Sequence, residues 1–356
     1  MKAMLLAAGL GTRMLPLTLT APKPLLPVLG RAMARQTLRR LARFGVERAV
    51  LNLHHMPDRV RDDLGEGDED GLPGLSYTHE PQLLGTGGGI GNAAPHLRGD
   101  GAFLVCNGDF LADIDLDAAR RHHRESGMLA TLVVTACRPG YSVVEIDAGG
   151  RIASLAGLPR QVGADAARRG LFTGVHIMEE SVLERIPREG PSSIVRDVYL
   201  DLIEEGKLGS FVHPGFWWEF GSPALYLDGS MKLLRLSAEQ RSAVGDFDPV
   251  REQGEARVAF GAGAKLDATA SLHGGVALGF AAFVGRGARI QDSIVMPEAW
   301  VGPDVRLSRS IVGGGVEVRE GFEGDGLVLA QDPGGKTPLP PGCRRQDGIL
   351  IAPIEG

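Results

Sequence analysis

From Met1 to Leu236 short apolar runs alternate with amphipathic stretches, and from about Arg257 onward the period of the apolar positions changes to six. Ala3 to Ala8 is continuous and uncharged, the pattern of a strand buried on both faces. Ala34 to Phe44 reads as a helix, with Leu38, Leu41 and Ala42 on one side and Arg35, Arg39, Arg40 and Arg43 on the others. Val46 to Leu53, Phe103 to Cys106 and Met128 to Thr135 read as further strands. Such alternation implies an α/β domain around a mostly parallel sheet over residues 1–236. Polar and charged residues interrupt the pattern over 237–256, which reads as a linker.

The next segment, 257–330, carries two columns of apolar residues. Phe260, Leu266, Leu272, Leu278, Val284, Ile290 and Met296 recur every six positions, and Ala264, Ala270, Val276, Ala282, Ala288, Ile294 and Trp300 form the second column. This is the hexapeptide repeat of a parallel β-helix, in which three hexads close one triangular coil. The period slips by one between Met296 and Val301 and resumes through Val305, Leu307, Ile311, Val316 and Val318, giving about three and a half coils. Residues 331–356, rich in Pro and Gly at the start, read as a C-terminal tail.

Composition narrows the function. With 356 residues, 43% hydrophobic and 23% charged, the chain can bury one large core or two moderate ones, and two domains are expected. A net charge of −6 argues against a sequence-independent grip on nucleic acid. Cys106, Cys137 and Cys343 stand apart with no CxxC pair, so neither a disulfide framework nor a zinc site is indicated. No run approaches a membrane span, and the N-terminal apolar stretch is broken too early for a signal peptide, which predicts a cytoplasmic protein without membrane partners.

Candidate chemistry concentrates after the first strand. Gly9-Leu10-Gly11 can bring consecutive N–H groups onto one anion, Arg13 adds a planar fork and Lys23 a mobile point charge, while Pro16, Pro22, Pro24 and Pro27 stiffen the path. The Rossmann fingerprint lacks its third glycine at Met14, and a P-loop Gly-Lys-Ser/Thr is missing. Asn107-Gly108-Asp109 follows a strand, where a carboxylate can hold a hard divalent cation. Gly85-Thr86-Gly87-Gly88-Gly89, preceded by Glu80, offers a flat wall against which a nucleobase could lie.

The string LAAGLGTRMLPLTLTAPKPLLP, Leu6 to Pro27, resembles the signature of the sugar-1-phosphate nucleotidylyltransferases at every specified position. The resemblance implies a Rossmann-like nucleotidyltransferase domain followed by a left-handed parallel β-helix. It also implies Mg²⁺ as cofactor and an NTP and a sugar-1-phosphate as substrates, with homo-oligomerisation through the β-helix as a further option. It assigns NTP contacts to Leu6, Ala8, Gly9, Gly11, Thr12, Glu80, Gly85, Thr86 and Gly87, and catalytic roles to Arg13, Lys23 and Asp109. Trp217 to Pro223 resembles the family's W-x-D-x-G-T-P element with Glu219 in place of aspartate, so that Asp109 and Glu219 are the expected metal ligands. Tyr141 to Asp147 and Phe172 to His176 resemble segments that lie near the sugar, which gives Glu145 and Gly174 as sugar-phosphate residues, with Asn107 of the Asn-Gly-Asp turn beside them. The family's Glu-Lys-Pro element is not evident, and Arg160 is the substitute cation.

The implied reaction is attack of an ionised sugar-1-phosphate oxygen on the α-phosphorus of the NTP, with no general base. LAAG, TGGGI and NGD together resemble the N-acetylmuramate-1-phosphate uridylyltransferases, a resemblance that favours UTP slightly, whereas the added β-helix resembles the mannose-1-phosphate guanylyltransferases. A Glu80 carboxylate able to accept from guanine N1–H and N2–H₂ keeps GTP and a mannose-1-phosphate guanylyltransferase as the close alternative. Two other classes remain open: a β-helix acyltransferase, for which His273 is the one histidine within the repeats, and a non-catalytic regulatory paralogue, which Glu219 permits.

Overall fold

A computed structural model describes residues 1–68, 70–158, 167–334 and 338–355. The chain forms two compact units that do not follow chain order: Met1–Gly9 with Thr37–Trp217, and Leu10–Gln36 with Trp218–Gly356.

The first unit is built on a nine-stranded sheet among the described residues. Its strands are β1 (Lys2–Leu6), β2 (Arg48–Leu53), β3 (Gly74–His79), β4 (Ala102–Asn107), β5 (Ala130–Thr135), β6 (Val143–Ile146), β7 (Ile152–Leu155), β8 (Arg168–Glu179) and β9 (Leu208–Val212). The order β7-β6-β8-β4-β1-β2-β3 has β5 on the other edge of β8 and β9 beyond it. β1 pairs in parallel with β2 and β4, β2 with β3, and β5 with β9, while β8 runs against β4, β5 and β6. The uncharged run expected as a central strand is therefore β1, with Ala3, Met4 and Leu5 at most 1% exposed. Helices α1 (Met33–Arg43), α2 (Gly85–Leu97) and α3 (Leu116–Ser126) connect strands, the first within one residue of its expected span. No helix among the described residues is long and apolar enough to cross a membrane.

One buried pair in this core has a pH consequence. The Tyr199 hydroxyl is hydrogen-bonded to Nδ1 of His176 on β8, and both side chains are buried. Burial pushes the imidazole down from 6.5 to about 3, so it stays neutral when folded while the unfolded chain takes up a proton below 6.5. Its contribution to stability is complete above pH 6.5 and is lost as pH falls toward 3, at about 1.4 kcal/mol per pH unit. Chemical unfolding at stepped pH reads this slope, and a flat profile just below pH 6.5 would mean that His176 titrates in the folded protein.

The second unit contains the coils. Arg257 pairs with Gly275, Lys265 with Phe283 and Ser271 with Arg289, each 18 residues on, as three hexads require. Val276 then pairs with Ser293, Phe283 with Trp300, Arg289 with Arg306 and Ile294 with Ile311, each 17 on. The slip thus lies earlier than the sequence suggested: Gly274 and Gly275 stand against the single residue Asp292, at positive φ of 43°. Later coils keep the shorter corner. Ser293 and Ser310, both fully buried, accept from the N–H of Ser310 and Leu327 one coil on, supplying the acceptor that the shortened corner removes. After the slip Val295 and Ala299 stand on the inward columns. Trp300, expected inward, is 37% exposed and stacks on Phe283.

The segments expected as linker and tail are folded against this solenoid. After helix α4 (Pro223–Arg235), Ser237 and Gln240 form a capping box for α5 (Ala238–Val244), and Val250–Gln253 pairs antiparallel with Ala256–Phe260. At the far end Ile349–Pro353 pairs antiparallel with Leu327–Gln331 and buries Ile349, Leu350 and Ile351. Both ends of the stack are closed, which repeat architectures need to cover their terminal apolar faces.

Candidate functional site

In the first unit the candidate residues gather at the carboxyl ends of parallel strands, where open α/β sheets place their ligands. β1 ends at Leu6, and the main chain continues through buried Ala7 and Ala8 to exposed Gly9. Gly108 donates its N–H to Leu6 O at 3.0 Å, and a Cβ at Gly108 would stand 2.7 Å from that oxygen. The Asn-Gly-Asp turn therefore needs its glycine in order to close on β1, and it sets Asp109 just beyond the strand end. Gly174, at φ 85°, presses on Asn107, whose amide nitrogen would be 2.6 Å from a Cβ there.

The glycine-rich segment is not a loop wall. It is the first turns of α2, and its glycines are packing residues: Gly87, Gly88 and Gly89 are buried, and Gly85 and Gly87 lie against Ser192. The N–H of Gly87 donates to Ser192 O at 2.9 Å, so of the three expected NTP contacts only Gly85 and Thr86 are exposed. Glu80 is buried: at 1% exposure its carboxylate accepts from Asn52 Nδ2 at 2.7 Å and from the Leu84 N–H at 2.9 Å, one bond on each oxygen.

In the second unit the phosphate signature forms short turns, Thr12–Met14 and Lys23–Leu25. Gly11 sits at φ 67°, and a Cβ there would meet Thr18 Cγ2 at 2.9 Å and Lys23 Cβ at 3.3 Å. Its glycine is thus required twice, by conformation and by the close approach of the Lys23 stem. Gly9 differs from the sequence expectation, having no positive φ and open space for 4 Å around the point where a Cβ would stand. The loop is tied down at its far end: Tyr226 donates to Pro27 O, Asp248 N–H to Leu29 O at 2.9 Å, and Asp246 N–H to Gln36 Oε1 at 2.7 Å.

Glu219 is positioned within this unit by its neighbours. Trp218 donates to Leu225 O at 2.8 Å on α4, and Ser222 caps that helix through the N–H of Leu225, which explains the Ser-Pro that follows Gly221. Arg13 donates to Glu219 Oε1 at 2.9 Å, with the Arg13 side chain 64% exposed and that of Glu219 16%. The carboxylate is thus already neutralised on one oxygen. Among the described residues no group of three His, Cys, Asp or Glu could hold a metal ion.

The nucleotidyl transferase family model matches residues 2–235. The chain belongs to the nucleotidyl transferase family. It is similar to the mannose-1-phosphate guanylyltransferase of Mycobacterium tuberculosis, 32% identical over 82% of this chain and 79% of that one. It is also similar to the UTP–glucose-1-phosphate uridylyltransferase of Synechocystis, 27% identical over 88% of this chain and 87% of that one. The solved structure of HddC from Yersinia pseudotuberculosis shares the fold, with a TM-score of 0.53 at 22% identity, over 65% of this chain and 98% of its own. These relatives identify a sugar-1-phosphate nucleotidylyltransferase.

Within this nucleotidyl transferase, Glu145, with its side chain 32% exposed, accepts from Arg169 at 3.0 Å and from the Ser154 hydroxyl at 2.9 Å on neighbouring strands. Arg160 lies outside the described residues. Sequence reasoning missed Asn52, whose one signal was a polar residue inside an apolar strand, and Trp217, whose Nε1–H donates to Thr173 O at 2.8 Å beside Gly174.

Gly174→Ala is expected to lower kcat/KM about tenfold or more, because a Cβ there is strained and displaces Asn107 next to the Asp109 turn. Steady-state kinetics against both substrates would read the loss, and unchanged rates would separate Asn107 from the site.

Proposed function

We propose that this sugar-1-phosphate nucleotidylyltransferase uses GTP and mannose-1-phosphate, releasing pyrophosphate and GDP-mannose. The observation that carries this reading is the 32% identity to a mannose-1-phosphate guanylyltransferase, which extends over 297 residues and so beyond the catalytic domain. The slight sequence preference for UTP gives way to it. UTP with glucose-1-phosphate remains the second reading, favoured by the uridylyltransferase relative over 346 residues.

In the proposed reaction the anionic sugar-1-phosphate oxygen bonds to the α-phosphorus, and the bond to the bridging oxygen breaks with its electron pair leaving on pyrophosphate. No proton has to move, so the protein's task is alignment and charge neutralisation. Backbone amides of Gly11 to Arg13, the Arg13 guanidinium and the Lys23 ammonium take up the phosphate charge. Leu6, Ala8, Gly9, Gly85 and Thr86 line the NTP, and Asn107 and Gly174 the sugar phosphate.

Asp109 and Glu219 are the carboxylates that would hold Mg²⁺, the latter paired with Arg13 through one oxygen. Magnesium commonly keeps its waters and takes one or two carboxylates beside substrate phosphates, which suits a protein without a three-residue cage among its described residues. When bound, it would offset charge on the triphosphate.

The test is pyrophosphate release with Mg²⁺ across four NTPs and a panel of sugar-1-phosphates. The expected result is highest kcat/KM for GTP with mannose-1-phosphate. A preference for UTP with glucose-1-phosphate would select the second reading, and no release with any pair would sink the assignment.

A further inference from the structure

On the side of the solenoid Phe280 is 55% and Trp300 37% exposed, and among the described residues no other aromatic side chain stands that far into solvent. Both lie on one face. Lys265 pairs with Phe283, Phe283 with Trp300 and Trp300 with Glu317, so these four residues form a single column over four successive coils. The column points outward, because Val284, Val301 and Val318, which follow its members, are at most 1% exposed and a strand alternates its faces. Phe283 and Trp300 stack within it, with ring centroids 5.9 Å apart and planes 9° from parallel. A Cβ at Gly302 would stand 3.0 Å from Cζ3 of Trp300, so the absence of a side chain there lets the indole lie along the face. At the corner before the column Phe280 O accepts from the N–H of Glu298 and Pro297 O from that of Gly315, which sets Pro297 one coil on from Phe280.

The three rings do not belong to the buried cluster that holds the coils together. Their exposure therefore gains the folded chain nothing, and a contiguous apolar patch of this kind marks an association surface. The ends of the column say what associates. Lys265 and Glu317 are exposed, and among the described residues neither side chain has an ion pair or hydrogen bond. Read from coil to coil, the column runs positive, aromatic, aromatic, negative. A two-fold axis lying in the face, parallel to the strands and midway between the second and third coils, exchanges the first coil with the fourth and the second with the third. It brings Lys265 against Glu317 of a second copy, Phe283 against Trp300 of that copy and Phe280 against Pro297 of that copy, each contact made twice. An axis along the solenoid through the same column would instead set Lys265 on Lys265 and Glu317 on Glu317.

We propose that this face is an isologous dimer interface, on which two copies of the chain pack with their solenoids antiparallel. The aromatic residues supply the desolvated centre, and Lys265 and Glu317 fix direction and register at its rim. Three rings and a proline are few beside the roughly 800 Å² per partner of a standard complex, so the expected Kd is micromolar, about 1–50 µM.

Sedimentation velocity of the full chain, from about 1 to 200 µM, tests this without reference to turnover. The parent is expected to pass from monomer to dimer across that range. Trp300→Ser is expected to weaken dimerisation at least about tenfold while leaving the melting temperature of the monomer within about 2 °C, since the indole is outside the core. Lys265→Glu and Glu317→Lys put like charges face to face twice, and each alone is expected to raise Kd about tenfold, an effect that shrinks in about 1 M salt. The double exchange restores opposite charges and is expected to return Kd to within about threefold of the parent. Both residues are exposed, so these variants fold even where Trp300→Ser does not. A parent that stays monomeric at 200 µM, or a dimer indifferent to Trp300→Ser, would overturn the proposal. A double exchange that dimerises no better than the single variants would do the same, because it would mean that Lys265 does not face Glu317.

Discussion

Lys23→Ala and Asp109→Ala are each expected to lower kcat/KM about a hundred- to a thousandfold, with the melting temperature within about 2 °C of the parent. The magnitude follows from the chemistry. A phosphoryl centre attacked by an anion gains little from proton transfer, so most of the barrier reduction comes from fixed positive charge around the transferring group. Lys23 meets that requirement because its stem is packed at Gly11, where a Cβ would come within 3.3 Å of Lys23 Cβ, so little ordering remains when the phosphates arrive. Asp109 follows a glycine turn closed on Leu6 and is likewise preset. Pyrophosphate release measured alongside a thermal melt separates the two effects, and near-parental turnover in either variant would remove that residue from the machinery.

Ile290→Asp is expected to destabilise the second unit by more than about 4 kcal/mol and to abolish activity, although Ile290 belongs to no candidate site. Ile290 is 0% exposed and pairs with Leu272 and Leu307 in the coils on either side. A carboxyl group there finds no partner in an aliphatic stack, and the loss spreads because each coil is stabilised by its neighbours.

The consequence for activity follows from what the same unit braces. Leu10–Gln36, with Arg13 and Lys23, clusters with the C-terminal residues, and its Leu17 lies 3.3 Å from where a Cβ of Gly313 would stand. Hydrogen exchange is the measurement: amides of 10–36 should lose protection together with those of the coils, while those of β1 and β4 keep theirs. Ile290→Val, with an expected cost of about 0.5–1.5 kcal/mol, should retain activity. Protection of 10–36 that survives melting of the coils would show that the loop does not depend on them.

Much of this is legible in the sequence because the signals are local. The strand ending at Leu6, the glycine that must be Gly11, and the cations at 13 and 23 all lie within one short string, and each has a physical reason that does not depend on distant residues. Six-residue periodicity likewise announces a coil, since every coil is made of adjacent hexads. The features that mislead depend on partners far along the chain. Gly87 resembles a loop residue until Ser192 is seen against it, and Glu80 resembles an open acceptor until Asn52 and Leu84 are found on its oxygens. The slip in the repeat reads late in the sequence because Val295 and Met296 are both aliphatic and buried, and only the pairing of Leu278 with Val295 reveals which one carries the column.

The sequence by itself determined the reaction class, the α/β domain and the solenoid, because contiguous patterns of period, charge and glycine specify them. Tertiary structure decided that Leu10–Gln36 belongs with the C-terminal half, that Glu80 is buried against Asn52 and Leu84 and that Glu219 is held by Arg13. A hydrogen-bond partner 28 or 206 positions away leaves no periodic trace in a single chain. Which donor reaches which acceptor is set only when the strands and coils are packed.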